Sequence, residues 1–225
     1  MREFIDLSLM PKNETSLELM FQTARALGYS AVGLEKTGSD VIDVIIRVDL
    51  YPRNQNELSK QLRKLRHSTE VIVVHCDNKS VARQAAHDHR IDLIRFPVNR
   101  DTKKRIYLDR RQAGLMRDSG AGFEVNLKDL LVDDRHLLAK RIVAIKKSLD
   151  IAIKYGLPVV ASSGAENIYG LRDPHGLAAL MSLLGVDLEP AMDMVSANPT
   201  RLVTENREKL KNSYVLPGVW VIETG

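Results

Sequence analysis

Residues 157–187 read LPVVASSGAENIYGLRDPHGLAALMSLLGVD. Leu157 to Ala161 is a short apolar run with the length of a buried strand. It gives way to small and polar residues, Ser162, Ser163, Gly164 and Ala165, and then to an arginine, Arg172. Asp173-Pro174 opens an apolar helix that closes at Gly185. A turn of this kind, after a strand and before a helix, is where α/β proteins gather their working residues.

The same strand-then-helix order runs outward in both directions. Strand-like runs fall at 3–7, 31–34, 41–48, 71–75, 93–96, 123–126 and 157–161; helix-like runs fall at 15–27, 56–66, 80–88, 109–118, 134–155, 174–184, 188–196 and 200–211. The first helix has a start signal, because Thr15 and Glu18 have capping-box spacing, and Gly28 supplies the stop. The run Val71–Val74 is apolar on both faces, as a parallel sheet covered by helices requires. Repeated β-then-α order specifies a parallel α/β architecture. Periodicity alone leaves two forms open, a closed or nearly closed barrel of the triosephosphate-isomerase type and an open doubly wound sheet.

The chain has 225 residues, a length that one large α/β domain accommodates. No low-complexity linker or internal repeat divides it, so a single domain over 1–225 is expected, with a basic insertion at 97–111 and an extended tail at 213–225. There is no apolar run of membrane-spanning length and no leader pattern, so a soluble, cytoplasmic protein without a membrane partner is expected. The single cysteine, Cys76, excludes an internal disulfide and a cysteine-rich zinc module. A net charge of +4 fits a nucleic-acid partner only where the positive residues cluster. Aromatics at 5% argue against a surface that stacks many bases, so charge and shape would dominate any RNA contact.

Several constellations invite a chemical reading. His87-Asp88-His89 falls at a helix end, where residues two apart point away from each other, so a shared metal is disfavoured. His75-Cys76-Asp77 ends a strand, and neighbouring strand residues face opposite sides. A buried Cys76 and a hydrogen-bonded His75 are therefore expected in place of a nucleophilic pair. Ser162-Ser163-Gly164 lacks the nucleophile elbow and the phosphate-loop lysine, and Gly120-Ala121-Gly122 leads into a strand. The serines are turn and capping residues, free to contact a phosphate. Asp6, Glu35, Asp109 and Glu124 are candidate magnesium ligands if they converge; the preferred alternative pairs buried acids with Arg47, Arg95 or Arg172. The run Asn99 to Arg117 concentrates Arg100, Lys103, Lys104, Arg105, Arg110, Arg111 and Arg117 around Tyr107. On its own it reads equally as a solvated loop or a phosphate-binding one. In a second basic run, Lys60 to His67, Leu62 and Leu65 face the core and Lys60, Arg63, Lys64 and Arg66 face out, and the same two readings stand level.

The stretch 157–187 resembles the archaeal and eukaryotic ribonuclease P protein component 3, the thirty-kilodalton subunit family. The opening FIDLSL (Phe4 to Leu9), the acidic strand FEVNLKDLL (Phe123 to Leu131) and the tail SANPTRLVTENREKL (Ser196 to Leu210) carry the same resemblance in the same order. It implies a single TIM-barrel-like (β/α) domain related to the polymerase-and-histidinol-phosphatase barrel. In that barrel strand one ends in a metal-binding His-x-His; here Asp6-Leu7-Ser8 stands instead, and serine is a poor ligand where imidazole is needed. The resemblance thus implies a barrel without that metal site and with no catalytic residue of its own.

By the same resemblance, RNA hydrolyses the 5′ leader of precursor tRNA using magnesium held by the RNA, and this chain binds no cofactor. Its expected partners are ribonuclease P RNA, the ferredoxin-like component 2 and the other protein subunits, with precursor tRNA contacted indirectly. The expected RNA-binding residues are Arg100, Lys103, Lys104, Arg105, Arg110, Arg111, Ser162, Ser163 and Arg172. For Arg172 an ion pair with Glu124 is the competing role. The competing function is a free-standing metal-dependent phosphoesterase or other hydrolase on the same barrel.

Overall fold

The computed structural model describes residues 2–13, 16–35, 38–98, 106–211, 213–216 and 219–220. Seven parallel strands follow one another in chain order: β1 (Ile5–Asp6), β2 (Ala31–Leu34), β3 (Asp43–Leu50), β4 (Val71–His75), β5 (Leu93–Arg95), β6 (Gly122–Asn126) and β7 (Val159–Ser162). A parallel bridge between Leu9 and Ala165 joins the ends of β1 and β7, and the Met10 N–H donates to the Ala165 carbonyl at 2.8 Å. The sheet is therefore a nearly closed barrel. The open doubly wound alternative is set aside.

Helices α1 (Leu17–Ala26), α2 (Gln55–Leu65), α3 (Lys79–His87), α4 (Arg110–Ser119), α5 (Arg135–Lys154) and α6 (Pro174–Leu183) cover the outside; α7 (Leu188–Asp193) and α8 (Ala197–Lys209) follow. The run expected at 41–48 is shifted two residues, because β3 holds two neighbours at once: its first half pairs with β2 and its second half with β4. The helix expected at 188–196 stops at Asp193, and the last helix begins earlier than expected, at Ala197. Thr15 of the expected capping box lies outside the described residues, whereas Gly28 does end the first helical segment, at φ +97°. The described part of the tail forms an antiparallel pair, β8 (Tyr214–Leu216) with β9 (Val219–Trp220).

Strand alternation sorts the barrel interior. Ile5, Leu7, Ala31, Ile45, Val71, Val73, Leu93 and Val160 form one buried cluster, joined by Val203 of α8. The larger cluster lies outside the strands, between sheet and helices. Alternate residues of a strand face the same side. The residues two places beyond Ile45, Val73, Leu93 and Val160 are Arg47, His75, Arg95 and Ser162. The interior is thus apolar toward the N-terminal ends of the strands and polar toward the C-terminal ends, the end where barrels hold their functional groups.

Helix α8 covers the N-terminal mouth. Asn206, 2% exposed, donates to the Glu70 carbonyl at 2.8 Å and to Asp92 Oδ1 at 2.7 Å. Arg207 bonds Asp43 at 2.6 and 3.0 Å and also pairs with Glu70. These bonds satisfy groups that burial would otherwise leave unpaired, and they tie the last helix to β3 and to the starts of β4 and β5.

Candidate functional site

At the C-terminal mouth Arg47 is the central group. It is 2% exposed, and all five of its N–H donors are engaged. Nη1 and Nη2 fork onto Glu124 at 2.6 and 2.8 Å, Nε and Nη2 onto Asp49 at 2.7 and 2.9 Å, and Nη1 also reaches the Leu7 carbonyl at 2.9 Å. The period of two in β3 places Arg47 and Asp49 on one side of the strand, while Glu124 enters from β6 across the barrel. Burial raises the Glu124 carboxyl, and the Arg47 charge with its hydrogen bonds outweighs that and holds it below the ordinary range. Asp49 is depressed in the same way, with burial opposed by Arg47 and by a further bond from His75.

The network continues around the rim. Ser162 Oγ donates to Glu124 at 2.8 Å, and Arg95 bonds Asp129 Oδ2 at 2.7 Å while its Nε lies 3.9 Å from Glu124. His75 Nε2 meets Asp49 Oδ1 at 2.7 Å, and the Tyr51 ring stacks on the His75 imidazole with centroids 4.1 Å apart at 23°. Asn126 donates to Ser8 Oγ at 3.1 Å. Gly164 is required beside it, since φ is +64° and a Cβ there would lie 1.8 Å from Asn126 Oδ1.

Asp6 stands apart from this pairing. Its Oδ1 accepts from the backbone N–H groups of Ser163 at 3.0 Å and Ser8 at 3.2 Å, and its Oδ2 is buried without a partner. Desolvation raises its pKa to about 6, against those hydrogen bonds.

The four acids proposed as magnesium ligands do not converge. Glu35 is exposed, Asp109 caps α4 and bonds Arg83, and Glu124 is held by guanidinium groups. The expected pairing of buried acids with Arg47 and Arg95 is present. The pairing with Arg172 is not, because that side chain is exposed and donates to the Tyr169 and Leu171 carbonyls at 2.8 and 2.6 Å. The ion pair of Arg172 with Glu124 is thereby corrected; Arg47 occupies that role from inside the barrel. Among the described residues no three His, Cys, Asp or Glu side chains group so as to hold a metal ion. The donor set does not fit the metal centre that a hydrolase of this barrel would need: the mouth's carboxylates Asp49, Glu124 and Asp129 already carry arginine as their counter-cation.

The remaining expected residues are scattered. Ser162 and Ser163 are 0% and 1% exposed, with their hydroxyl and amide groups turned inward, so a phosphate contact from them would require the barrel mouth to open. Arg110 and Arg111 are on the first turn of α4 and both are exposed, whereas Arg100, Lys103, Lys104 and Arg105 lie outside the described residues. In the second basic run Lys60, Arg63 and Lys64 are exposed on α2. Arg66, expected outward, instead turns back to Asp92 at 2.7 Å and the Arg90 carbonyl at 3.2 Å. Cys76 is fully buried and His75 hydrogen-bonded, as expected. Sequence reading missed Asp49, Tyr51, Asn126 and Asp129. The signal for Asp49 was present: in DVIIRVDL, positions 45, 47 and 49 share one face.

The family profile described as RNase P subunit p30 matches residues 3–211. Ribonuclease P protein component 3 of Methanosarcina mazei is 26% identical, with 98% of this chain and 96% of the relative covered. The protein of the same name from Methanococcus maripaludis strain S2 is 28% identical over 78% of this chain and 74% of the relative. Among solved structures, a chain in the cryo-EM structure of archaeal ribonuclease P with mature tRNA superposes with a TM-score of 0.82 at 21% identity, covering 97% of this chain and 98% of that one. The ochratoxinase of A. niger shares the barrel more distantly, with a TM-score of 0.57 at 12% identity, covering 90% of this chain and 71% of that one.

Proposed function

Because the chain belongs to the RNase P subunit p30 family, we propose that it serves as a protein subunit of ribonuclease P, supporting RNA-catalysed removal of the 5′ leader from precursor tRNA. The observation that carries this reading is the likeness of nearly the whole chain to a chain of archaeal ribonuclease P. The role is one of positioning. Arginines and lysines neutralise phosphates and hold RNA geometry without reading sequence. Magnesium belongs to the RNA, and the barrel mouth holds its own charges in internal balance and supplies no step of hydrolysis. The ferredoxin-like component 2 is the expected protein neighbour, with the remaining subunits around it.

The placement of Arg110 and Arg111 supports this reading. Cations on the first turn of a helix oppose its dipole, at a cost of about 0.3–1 kcal/mol each. A phosphate bound at α4 would reverse that sign. The Asp109 cap offsets part of the cost meanwhile.

The test is reconstitution. Catalytic RNA, component 2 and this chain together should cleave precursor tRNA at lower magnesium than the RNA alone. Leader removal by this protein without RNA, or no dependence of the assembled activity on it, would overturn the proposal.

A further inference from the structure

We propose that the outward face of α2 is a rail for the sugar–phosphate backbone of a base-paired segment of the catalytic RNA. The inference rests on the reading of the chain as a ribonuclease P subunit, and it assigns one flank of the barrel to that contact.

Leu58 and Leu62 are fully buried between sheet and helices and fix the orientation of α2. Asn56, Lys60, Arg63, Lys64 and His67 are left exposed, with Ser59 half-buried beside them. Their i, i+3 and i+4 spacing keeps them in one stripe, about 12 Å long from Asn56 to Lys64. Asn56, Ser59, Lys60, Arg63 and Lys64 line a shallow groove of about 460 Å³.

Lys60, Arg63 and Lys64 have no carboxylate or hydrogen-bond partner among the described residues. The cations on either side do: Arg53 pairs with Glu57, the one acid of α2, and Arg66 pairs with Asp92. Lys60 stands three and four residues before Arg63 and Lys64, a like-charge arrangement that weakens a helix. The helix dipole favours Arg63 and Lys64 in the last turn, but it does nothing for Lys60 at mid-helix. A polyanion reverses the sign for all three at once and gains the release of its counterions.

The composition of the stripe selects an RNA backbone as its occupant. Protein partners bind through buried apolar and aromatic anchors, where lysine is depleted. None of the exposed large apolar side chains among the described residues is on α2. No tyrosine, phenylalanine or tryptophan stands on the stripe to stack an unpaired base. Paired RNA needs none, because it is held by shape through phosphate and 2′-hydroxyl contacts. Asn56 and Ser59 supply neutral donors for the same oxygens.

The experiment measures affinity of the protein, assembled with component 2, for the catalytic RNA across a salt series, with hydroxyl-radical footprinting of the complex. Replacing Lys60, Arg63 and Lys64 with alanine should flatten the plot of log affinity against log salt by roughly 2–3, the share of three phosphates. One base-paired segment should lose backbone protection, and no unpaired base should change reactivity. Lys60→Ala alone, away from both helix ends, should give about a third of that change in slope. It carries the test if the triple variant melts below the parent. Lys60→Arg combined with Lys64→Arg should keep the parent slope. An unchanged slope in a variant with an intact melting transition, while the parent supports leader removal, would make α2 a solvated face and leave the subunit role standing. Loss of affinity for component 2 without RNA would assign the stripe to an acidic protein partner. Lost protection on an unpaired strand would remove the duplex, and either result overturns the inference.

Discussion

Arg47 is costly to bury and costlier to remove. Its five donors satisfy Glu124, Asp49 and a backbone carbonyl, so its loss strands the buried Glu124 and takes the main partner from the partly buried Asp49. Breaking one side of a buried pair costs about 3–5 kcal/mol, whereas replacing both sides with apolar groups is often neutral. Arg47→Met should therefore lower stability by that amount in urea unfolding at neutral pH, and adding Glu124→Leu should recover part of it. Equal losses in the single and double variants would mean that the pair is not the source. The carboxylates also set the acid limb. Glu124 and Asp49 have depressed folded-state values, so their contribution is present above the unfolded carboxylate range and fades as pH falls below about 4. Asp6 runs the other way. Its folded value of about 6 exceeds 3.8, so the folded state holds the proton more tightly and stability falls as pH rises between the two. Asp6→Asn removes that dependence. Relative to the parent, the variant should gain about 2 kcal/mol between pH 4 and pH 7, whatever its own packing cost. A difference that stays flat across that range would refute the buried, unpaired assignment of Asp6.

At the scale of elements, α4 shows how local chemistry positions a functional face. Asp109 accepts from the Gln112 N–H at 2.8 Å, Gln112 accepts in return from the Asp109 N–H at 3.0 Å, and Asp109 also binds Arg83 at 2.7 Å. Asp109→Ala should cost about 1–2 kcal/mol, a fall of some 2–4 °C in Tm per kcal/mol for a chain of this size. The parent Tm in the variant would show that α4 does not depend on its cap. Such elements were legible in the sequence because their signals are local. The strands over 31–34 and 71–75 lie where apolar runs put them, and Gly28 and Gly120 stop their helices at positive φ. The rim was less legible, because it is made by pairing across the barrel. Nothing local joins Arg47 to Glu124, 77 residues away, or Asp6 to Ser163, 157 residues away. The ion pair of Arg172 with Glu124 failed for the opposite reason: Arg172 stands in the turn where barrels keep functional residues, and its side chain donates to neighbouring carbonyls instead.

At the scale of the molecule, both mouths of the barrel are internally neutralised. Helix α8 closes one end through Asn206 and Arg207, and the Arg47 network balances the other. Acids that pair inside leave cations uncovered outside, and exposed cations stand on α2, α4 and α5, with further basic residues in the sequence at 97–111. That distribution suits a subunit that meets a polyanion along its flank while its interior stays dry. It also makes the flank's contribution separable from the fold. Replacing Lys103, Lys104 and Arg105 with alanine should leave the melting transition where it is. The barrel rests on its apolar clusters, to which charged side chains of this kind contribute little. Affinity for the catalytic RNA should fall, and the plot of log affinity against log salt should flatten by roughly 0.7–0.9 for each phosphate no longer neutralised. A uniform drop in affinity with the slope intact would mean that these cations act through something other than phosphate. An unchanged affinity and slope would return the insertion to the role of a solvated loop, and the RNA-binding flank would then have to be sought on α2 and the first turn of α4.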